Sequence, residues 1–497
     1  MTIADTPAVL DQRTVEARIA WLRTLTPRDA PAAIAEALVA GAPEDELWAA
    51  GALCAARYLN NQAQNLLGFV SHAMIGCEDA RRLAAGQPTR TRQLLIVQAL
   101  AQVVYDLHDP SFAPYELLPY WPFREASVAE NLRRLRADVR IGEYMRADHR
   151  FVALMEDLPR AEVVDLLLDV GLEGIVTDDH TLISPMLCLG MADLIGWEAA
   201  EPLLRWALRY SASFSRDFRP YDRALELLAR YGLEAGPPGD RPGEQAIDFD
   251  AVAALRAEFL AAAPHDRPEI AARALAEGVA PASAIAAASL AACDMYLMTE
   301  PVPPQADYDA VSREVAPIHI GTAMNALRAV LPLMLPRTRA LAAIQAGSLL
   351  ERGPSVLSET FAFVPFQAAR PYPYEEDVDR LRGQAPEQLL ATLRDALPAH
   401  DHRTATAAVR AYAALGAPPE PLIALLTAVA CTDNGTLLHN FKHLHAMVDE
   451  FYACPLPDRW QFLVGAARWA AWYAGLWTEV YDRAAPLLGS AQEEGGA

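Results

Sequence analysis

The chain has 497 residues, of which 42 are basic and 64 are acidic, so its formal net charge at pH 7 is −22. This charge opposes the phosphate neutralisation on which nucleic-acid binding depends, and it disfavours anionic membrane surfaces for the same reason. The first residues lack the basic and apolar regions of a signal peptide, and no apolar run is long enough to span a bilayer. We therefore expect a cytoplasmic protein without nucleic-acid or membrane partners, whose oligomeric state the sequence leaves open.

Helical periodicity runs through most of the chain. Apolar residues recur at three- and four-residue spacing, as over 161–169 and 337–346, and Ala, Leu, Arg and Glu are abundant. Because this spacing places the apolar side chains on one face of a helix, the pattern predicts an all-α fold.

Proline and glycine divide the chain near its middle. We predict an N-terminal helical half over 1–235, a linker over 236–248 and a C-terminal helical half over 249–497. Two aromatic-rich segments, over 109–123 and 353–374, interrupt the helical pattern. Long loops of this kind often form lids or binding walls, so we expect them to cap a site.

Four segments share one layout, with two on each side of the linker. In each, a histidine begins an apolar helix or sits early in it, and an arginine-containing helix follows after a short connection. The histidines are His72, His180, His319 and His439, and the partner helices are predicted to open near Thr89, Glu201, Pro336 and Asp458. Stacked repeats bring equivalent positions towards a common interior. The layout therefore predicts helical hairpin repeats in a curved or closed array around a central cavity.

The residue one helical turn after each histidine refines this prediction. It is small in three segments, as Gly76, Ser184 and Ala323, which leaves room beside the imidazole for a ligand, a metal or another helix. In the fourth segment it is His443, and two imidazoles at this spacing can bind one metal. Asp79 follows His72 by seven residues and can orient or ligate. The candidate metal ligands are thus His72, His180, His319, His439 and His443.

Lys442 is the only lysine among the 42 lysine and arginine residues, and it lies in the histidine-rich run 439–445. A compact ammonium can shed its proton when it is desolvated, whereas a guanidinium cannot. Lys442 is therefore a candidate general base, Schiff-base amine or point-charge anchor. An incidental surface lysine is the alternative interpretation.

The other histidines and the cysteines carry no such pattern. Six further histidines are predicted to lie in loops or on outer helix faces, namely His108, His149, His265, His400, His402 and His445. The six cysteines are scattered without a Cys-x-x-Cys pair and are predicted to be reduced core residues. No nucleotide-binding glycine motif or serine-hydrolase elbow is present in the sequence.

Several short motifs resemble those of known helical families. They are Gly68-Phe69-x-x-His72-Ala73, Ile195-Gly196-Trp197 with Ala200 to Arg205 after His180, Ile318-His319 with Asn325-Ala326, and His439-x-x-Lys442. The layout is similar to that of a bacterial all-helical family and, more remotely, of the questin oxidase family, whose members are helical oxidases of aromatic polyketide intermediates. The resemblance spans roughly Ala50 to Ala474. Where the questin-like pattern has a further histidine in the second repeat, this chain has Ser184.

The resemblance implies an oxidoreductase that acts on a small aromatic or polyketide-like molecule in secondary metabolism. The catalytic residues would be His72, His180, His319, His439 and Lys442. The histidines would either hold a transition metal, iron or copper, or act without metal as bases, with Lys442 stabilising an oxyanion. The residues alone also fit a non-enzymatic repeat scaffold that binds a partner protein, or a metal-free isomerase or cyclase. Histidines on apolar helix faces are, moreover, commonly ordinary core groups.

Overall fold

The computed structural model describes residues 10–61, 70–213, 216–240, 247–304, 308–352 and 370–489. These residues form α-helices joined by turns and short 3₁₀-helices, and no β-strand occurs among them. The predicted all-α fold is confirmed. Across the same ranges, no helix combines the length and the apolar character needed to cross a membrane.

Eleven α-helices precede the predicted linker in the described part of the chain. They are α1 (Gln12–Leu22), α2 (Ala30–Val39), α3 (Glu44–Tyr58), α4 (His72–Ala84), α5 (Thr89–Asp106), α6 (Val128–Arg140), α7 (Tyr144–Asp157), α8 (Arg160–Gly174), α9 (His180–Ile195), α10 (Glu201–Ser211) and α11 (Arg219–Arg230). A 3₁₀-helix, Trp197–Ala199, joins α9 to α10.

Twelve described α-helices follow the predicted linker. They are α12 (Phe249–Ala261), α13 (Arg267–Ala276), α14 (Pro281–Leu297), α15 (Tyr308–Val330), α16 (Pro336–Leu349), α17 (Glu375–Arg380), α18 (Pro386–Ala396), α19 (His402–Ala414), α20 (Glu420–Ala430), α21 (His439–Ala453), α22 (Trp460–Tyr473) and α23 (Glu479–Ala484). The 3₁₀-helices of this part are Pro264–Asp266, Leu331–Leu333, Leu350–Arg352 and Pro457–Arg459.

The four helices that carry the predicted histidines pack against one another in a ring. Helix α4 contacts α9, α9 contacts α15, α15 contacts α21, and α21 contacts α4. Each of the four also contacts the helix that follows it, which is α5, α10, α16 or α22 respectively. Those partner helices begin at Thr89, Glu201, Pro336 and Trp460, at or within two residues of the predicted positions. The ring joins two helices from each half of the chain.

The core is built from small and aromatic side chains. Alanines dominate the buried faces, which lets helices approach closely, while Trp206, Trp469 and Trp472 are among the largest fully buried side chains. All six cysteines are free and buried, in agreement with their predicted role as reduced core residues.

Three sequence expectations concern the linker and the two aromatic-rich segments. Residues 241–246 of the predicted linker and 353–369 of the second aromatic segment lie outside the described residues. The first aromatic segment, 109–123, runs over the surface and exposes 79% of Trp121. It is tied by backbone bonds from Leu117 to Arg57 and from Phe123 to His149, so it packs on α3 and α7. The capping role of these segments, the domain division and the central cavity stay predictions.

Candidate functional site

Three of the four predicted histidines are positioned by the start of a helix. His72, His180 and His439 are the first residues of α4, α9 and α21, whereas His319 lies in the middle of α15. Ser71 caps α4 by accepting the backbone N–H of Ala73 at 3.2 Å. A polar cap fixes the residue at which the loop ends and the helix begins. The imidazole of His72 therefore enters the ring of four helices at a defined angle.

The four imidazoles converge inside the helix ring. Ring centroids are 4.4 Å apart for His72 and His439, 5.0 Å for His72 and His180, 5.3 Å for His180 and His319, and 5.1 Å for His319 and His439. His72 and His439 are buried, and His180 and His319 are partly exposed. The sequence therefore predicted correctly that equivalent histidines of the four segments meet.

Two overlapping groups within this cluster could hold a metal ion. One consists of His72, His180 and His439, and the other of Asp179, His180 and His319, with ligand atoms within 4.8 Å of one another. The Nε2 atoms of His72 and His180 are 3.1 Å apart. Two nitrogens bound tetrahedrally at the usual 2.0–2.1 Å to one ion would lie about 3.4 Å apart. The observed spacing is therefore already close to that of a shared ligand set.

Three of the imidazoles have the same hydrogen-bonding arrangement. The Nδ1 atom lies 2.6 Å from the carbonyl of Val315 in His319 and 2.7 Å from the carbonyl of Thr436 in His439. In His180 it lies 3.1 Å from Asp178 Oδ1. A carbonyl or carboxylate oxygen can only accept, so Nδ1 carries the hydrogen and Nε2 keeps its lone pair. In His180 this lone pair lies 3.0 Å from the Lys442 ammonium. Histidines that bind metals are oriented by this kind of Nδ1 bond.

The electrostatics of the cluster keep three of its rings neutral. Burial, assisted by the neighbouring imidazoles and Lys442, lowers the pKa of His72 far below its usual value. Burial also lowers the pKa of His319 strongly, against the opposing charge of Asp179, and that of His439 to about 3. A neutral imidazole is both a metal ligand and a general base. These three rings thus offer lone pairs rather than positive charges at neutral pH.

Lys442 lies in this site and not on the surface. Its side chain is 2% exposed, and Nζ is 3.1 Å from Asp179 Oδ2 and 3.0 Å from His180 Nε2. Asp179 also accepts the Thr322 hydroxyl at 3.1 Å. Burial lowers the pKa of Lys442, while the carboxylate of Asp179 opposes this shift. The alternative interpretation of an incidental surface lysine is wrong.

The sequence analysis missed the acidic pair that precedes His180. Asp178 accepts His180 Nδ1, the Tyr210 hydroxyl at 2.7 Å and Arg216 at 3.0 Å. Burial alone would raise the pKa of Asp178, but the charge of Arg216 and the bond from His180 outweigh it, so the net shift is downward. The signal was available, since two consecutive carboxylates directly before a site histidine are candidates to orient it.

Two predictions about neighbouring histidines need revision. The ring of His443 lies 5.4 Å from that of Tyr296 and 6.3 Å from that of Trp469, and His443 belongs to neither metal-binding group of the described residues. The structure therefore does not bring His443 together with the other candidate ligands, because its ring faces α14 and α22. His445 was predicted in a loop or on an outer face, but it is buried and its Nδ1 lies 2.7 Å from Asp79 Oδ1. Asp79 thus orients His445 and not His72.

No family model, curated protein or solved structure matches this chain. The resemblance to the questin oxidase family therefore stays a hypothesis that depends on the short motifs alone.

Proposed function

We propose that this chain is an oxidoreductase that oxidises a small aromatic or polyketide-like molecule with dioxygen at the buried histidine cluster. The observation that supports this proposal is the convergence of four imidazoles, three of which have Nδ1 bonded to an acceptor, so that Nε2 keeps its lone pair. A scaffold that binds a partner protein would need an exposed binding face, whereas this cluster is enclosed by four helices.

The residues of the cluster supply the acid and base chemistry of such a reaction. A neutral imidazole takes a proton from an acidic carbon or hydroxyl of the substrate, which leaves a carbanion or phenolate. Dioxygen accepts two electrons from this anion and forms a carbon–oxygen bond at the peroxide level, and the protonated imidazole returns its proton to the product. Lys442, held by Asp179, lies beside the ring of His180 and would stabilise the negative charge that develops on oxygen.

The cluster also fits a transition metal. His72, His180 and His439 would hold the ion through Nε2, with Asp179 and His319 on the adjoining side. Imidazole nitrogen suits iron, copper and zinc, and geometry and availability decide among them. When bound, a redox metal would assist electron transfer from the substrate anion to dioxygen, and Asp178 would keep His180 in the ligating tautomer.

The test combines metal content with oxygen uptake. Protein purified without chelator is analysed for iron, copper and zinc, and substrate-dependent oxygen uptake is measured with a panel of phenolic aromatic polyketides. His319→Gln should lower the uptake by at least 100-fold. The matched control is His265→Gln, because the His265 side chain is 73% exposed and should tolerate the same change.

Each outcome bears on one part of the proposal. Oxygen uptake by metal-free protein would mean that electrons pass directly from the substrate to dioxygen, with the imidazoles acting as bases. Lys442→Arg keeps the charge but cannot release a proton, so retained uptake in that variant would exclude proton exchange at Lys442. Isomerisation or cyclisation of a substrate without any oxygen uptake would refute the oxidoreductase.

A further inference from the structure

The loop that precedes α21 holds a strained backbone. Leu437 and Leu438 have φ angles of 53° and 63°, in the left-handed region that branched and bulky side chains rarely adopt. Such a conformation is unfavourable and persists only when its surroundings fix it. His439 follows directly as the first residue of α21. The strain therefore lies immediately before a residue of the histidine cluster.

Buried polar groups hold this loop from within. Asp433, which is 1% exposed, accepts the Thr436 hydroxyl on Oδ2 and the backbone N–H groups of Gly435 and Thr436. The Thr436 hydroxyl in turn accepts the backbone N–H of Asn440. The Asn440 amide donates to the carbonyls of Ala430 and Asp433. Hydrogen bonds thus cross the loop in both directions.

Close packing holds the same loop from outside. A Cβ on Gly435 would lie 2.0 Å from the ring of Trp477, so only glycine fits there. A Cβ on Gly76 of α4 would lie 2.3 Å from Leu438 Cδ1. The small residue at position 76 therefore makes room for the residue before His439 and not for a bound ligand.

Thr436 links this loop to the ring of His439. Its hydroxyl is bound by Asp433, and its carbonyl accepts His439 Nδ1–H at 2.7 Å. We propose that Asp433 and Thr436 are positioning residues for His439, which lock the strained loop so that the Thr436 carbonyl fixes the ring tautomer and directs Nε2 towards the other imidazoles.

Loosening the loop has a defined consequence for His439. If the Thr436 carbonyl moves away, Nδ1 loses its acceptor, and the hydrogen redistributes between the two ring nitrogens. The Nε2 lone pair is then available for only part of the time. Loss of an orienting partner typically weakens metal binding by about 10- to 100-fold. This inference deepens the proposed function, since it concerns the same site, but the tautomer of His439 can be measured without metal or substrate.

The experiment uses paired threonine substitutions. Thr436→Val removes the hydroxyl that Asp433 binds, and Thr436→Ser retains it. The matched control is Thr427→Val, because Thr427 is also fully buried and its hydroxyl donates only to the Ile423 carbonyl within α20. Asp433→Asn tests the other partner. The tautomer of each ring is read from two-bond ¹H–¹⁵N spectra of full-length, chelator-treated protein labelled with ¹⁵N-histidine. His439→Gln identifies the signal of His439.

The expected result separates positioning from general stability. Wild type, Thr436→Ser and Thr427→Val should show His439 with hydrogen on Nδ1, whereas Thr436→Val and Asp433→Asn should show a mixture. Cobalt(II) affinity of the same proteins should fall by about 10- to 100-fold only in the last two. An unchanged His439 tautomer in Thr436→Val and Asp433→Asn would overturn the inference. Altered tautomers in a protein whose wild type binds no cobalt would support the positioning role and count against the metal.

Discussion

Replacement of Lys442 by methionine should destabilise the fold strongly. Methionine preserves the length and apolar stem of the side chain but leaves the Asp179 carboxylate without its ammonium partner. Nζ and Oδ2 are 3.1 Å apart, and each side chain is only 2% exposed. At an effective dielectric constant of about 20, two charges at this distance attract by about 5 kcal/mol. Removal of one partner from a buried pair costs about 3–5 kcal/mol. We expect a loss of about this size at pH 7.5.

A double-mutant cycle isolates the pair from other effects. Asp179→Asn removes the charge that Lys442→Met leaves behind, so the double variant should be more stable than the sum of the two single losses predicts, by at least about 2 kcal/mol. The free energy of unfolding is measured by urea titration with tryptophan fluorescence. Arg219→Met serves as the exposed control, because the Arg219 side chain is 89% exposed and solvent screens its pair with Asp217.

Two results would refute this reasoning. A loss of less than about 1 kcal/mol in Lys442→Met would mean that the carboxylate is compensated without the ammonium. Strict additivity of the two single variants would mean that the two charges do not stabilise each other.

Three further predictions test other parts of the structure. Gly76→Ala should lower the unfolding free energy by about 1–3 kcal/mol through overpacking against Leu438, and in a urea titration it should lower it by less in a Leu438→Gly background. Equal stability of Gly76→Ala and wild type would contradict the close contact. Burial lowers the pKa of His443 to about 3, so the unfolded chain binds more protons than the folded chain below pH 6.5. Through this residue, the unfolding free energy of wild type should fall by up to about 2 kcal/mol between pH 6.5 and pH 5. In His443→Leu the unfolding free energy should fall less steeply over this pH range, and an unchanged pH dependence would contradict the buried neutral ring. Burial raises the pKa of Asp106 to about 7. The stability contributed by the protonated carboxyl is therefore complete below pH 3.8 and is lost as the pH rises through 7. The unfolding free energy of Asp106→Asn should therefore rise relative to that of wild type between pH 5 and pH 8, by up to about 3 kcal/mol. Equal differences between the two proteins at the two pH values would contradict the raised pKa.

Helical periodicity in the sequence was enough to predict most of the fold. The partner helices at Thr89, Glu201 and Pro336 begin at the predicted residues because proline and polar residues mark the start of a helix locally. The position of His319 is different, since α15 continues through Pro317 and places the histidine in mid-helix. A proline inside a helix is a tertiary outcome that local signals oppose.

The candidate site was predictable where it depended on repetition and composition. His72, His180 and His439 stood out because they recur, and Lys442 because it is the only lysine. The roles of Tyr210 and Arg216 could not be read in this way. Both residues reach Asp178 from positions 32 and 38 residues away, and such contacts exist only after α9 and α10 have packed. The direction of the His443 ring likewise depends on packing against Tyr296. This contact cannot be predicted from helical spacing alone.

The charges around the cluster explain why so many helix starts can meet there. Helices α4, α9 and α21 all begin at a cluster histidine, and each helix start carries a partial positive charge. Lys442 and Arg216 add two full positive charges, which Asp179 and Asp178 compensate through direct bonds. Protonated imidazoles would add to the positive helix ends, so the arrangement itself favours neutral rings. The acidic pair before His180 therefore offsets the repulsion between the converging helix starts and the buried lysine.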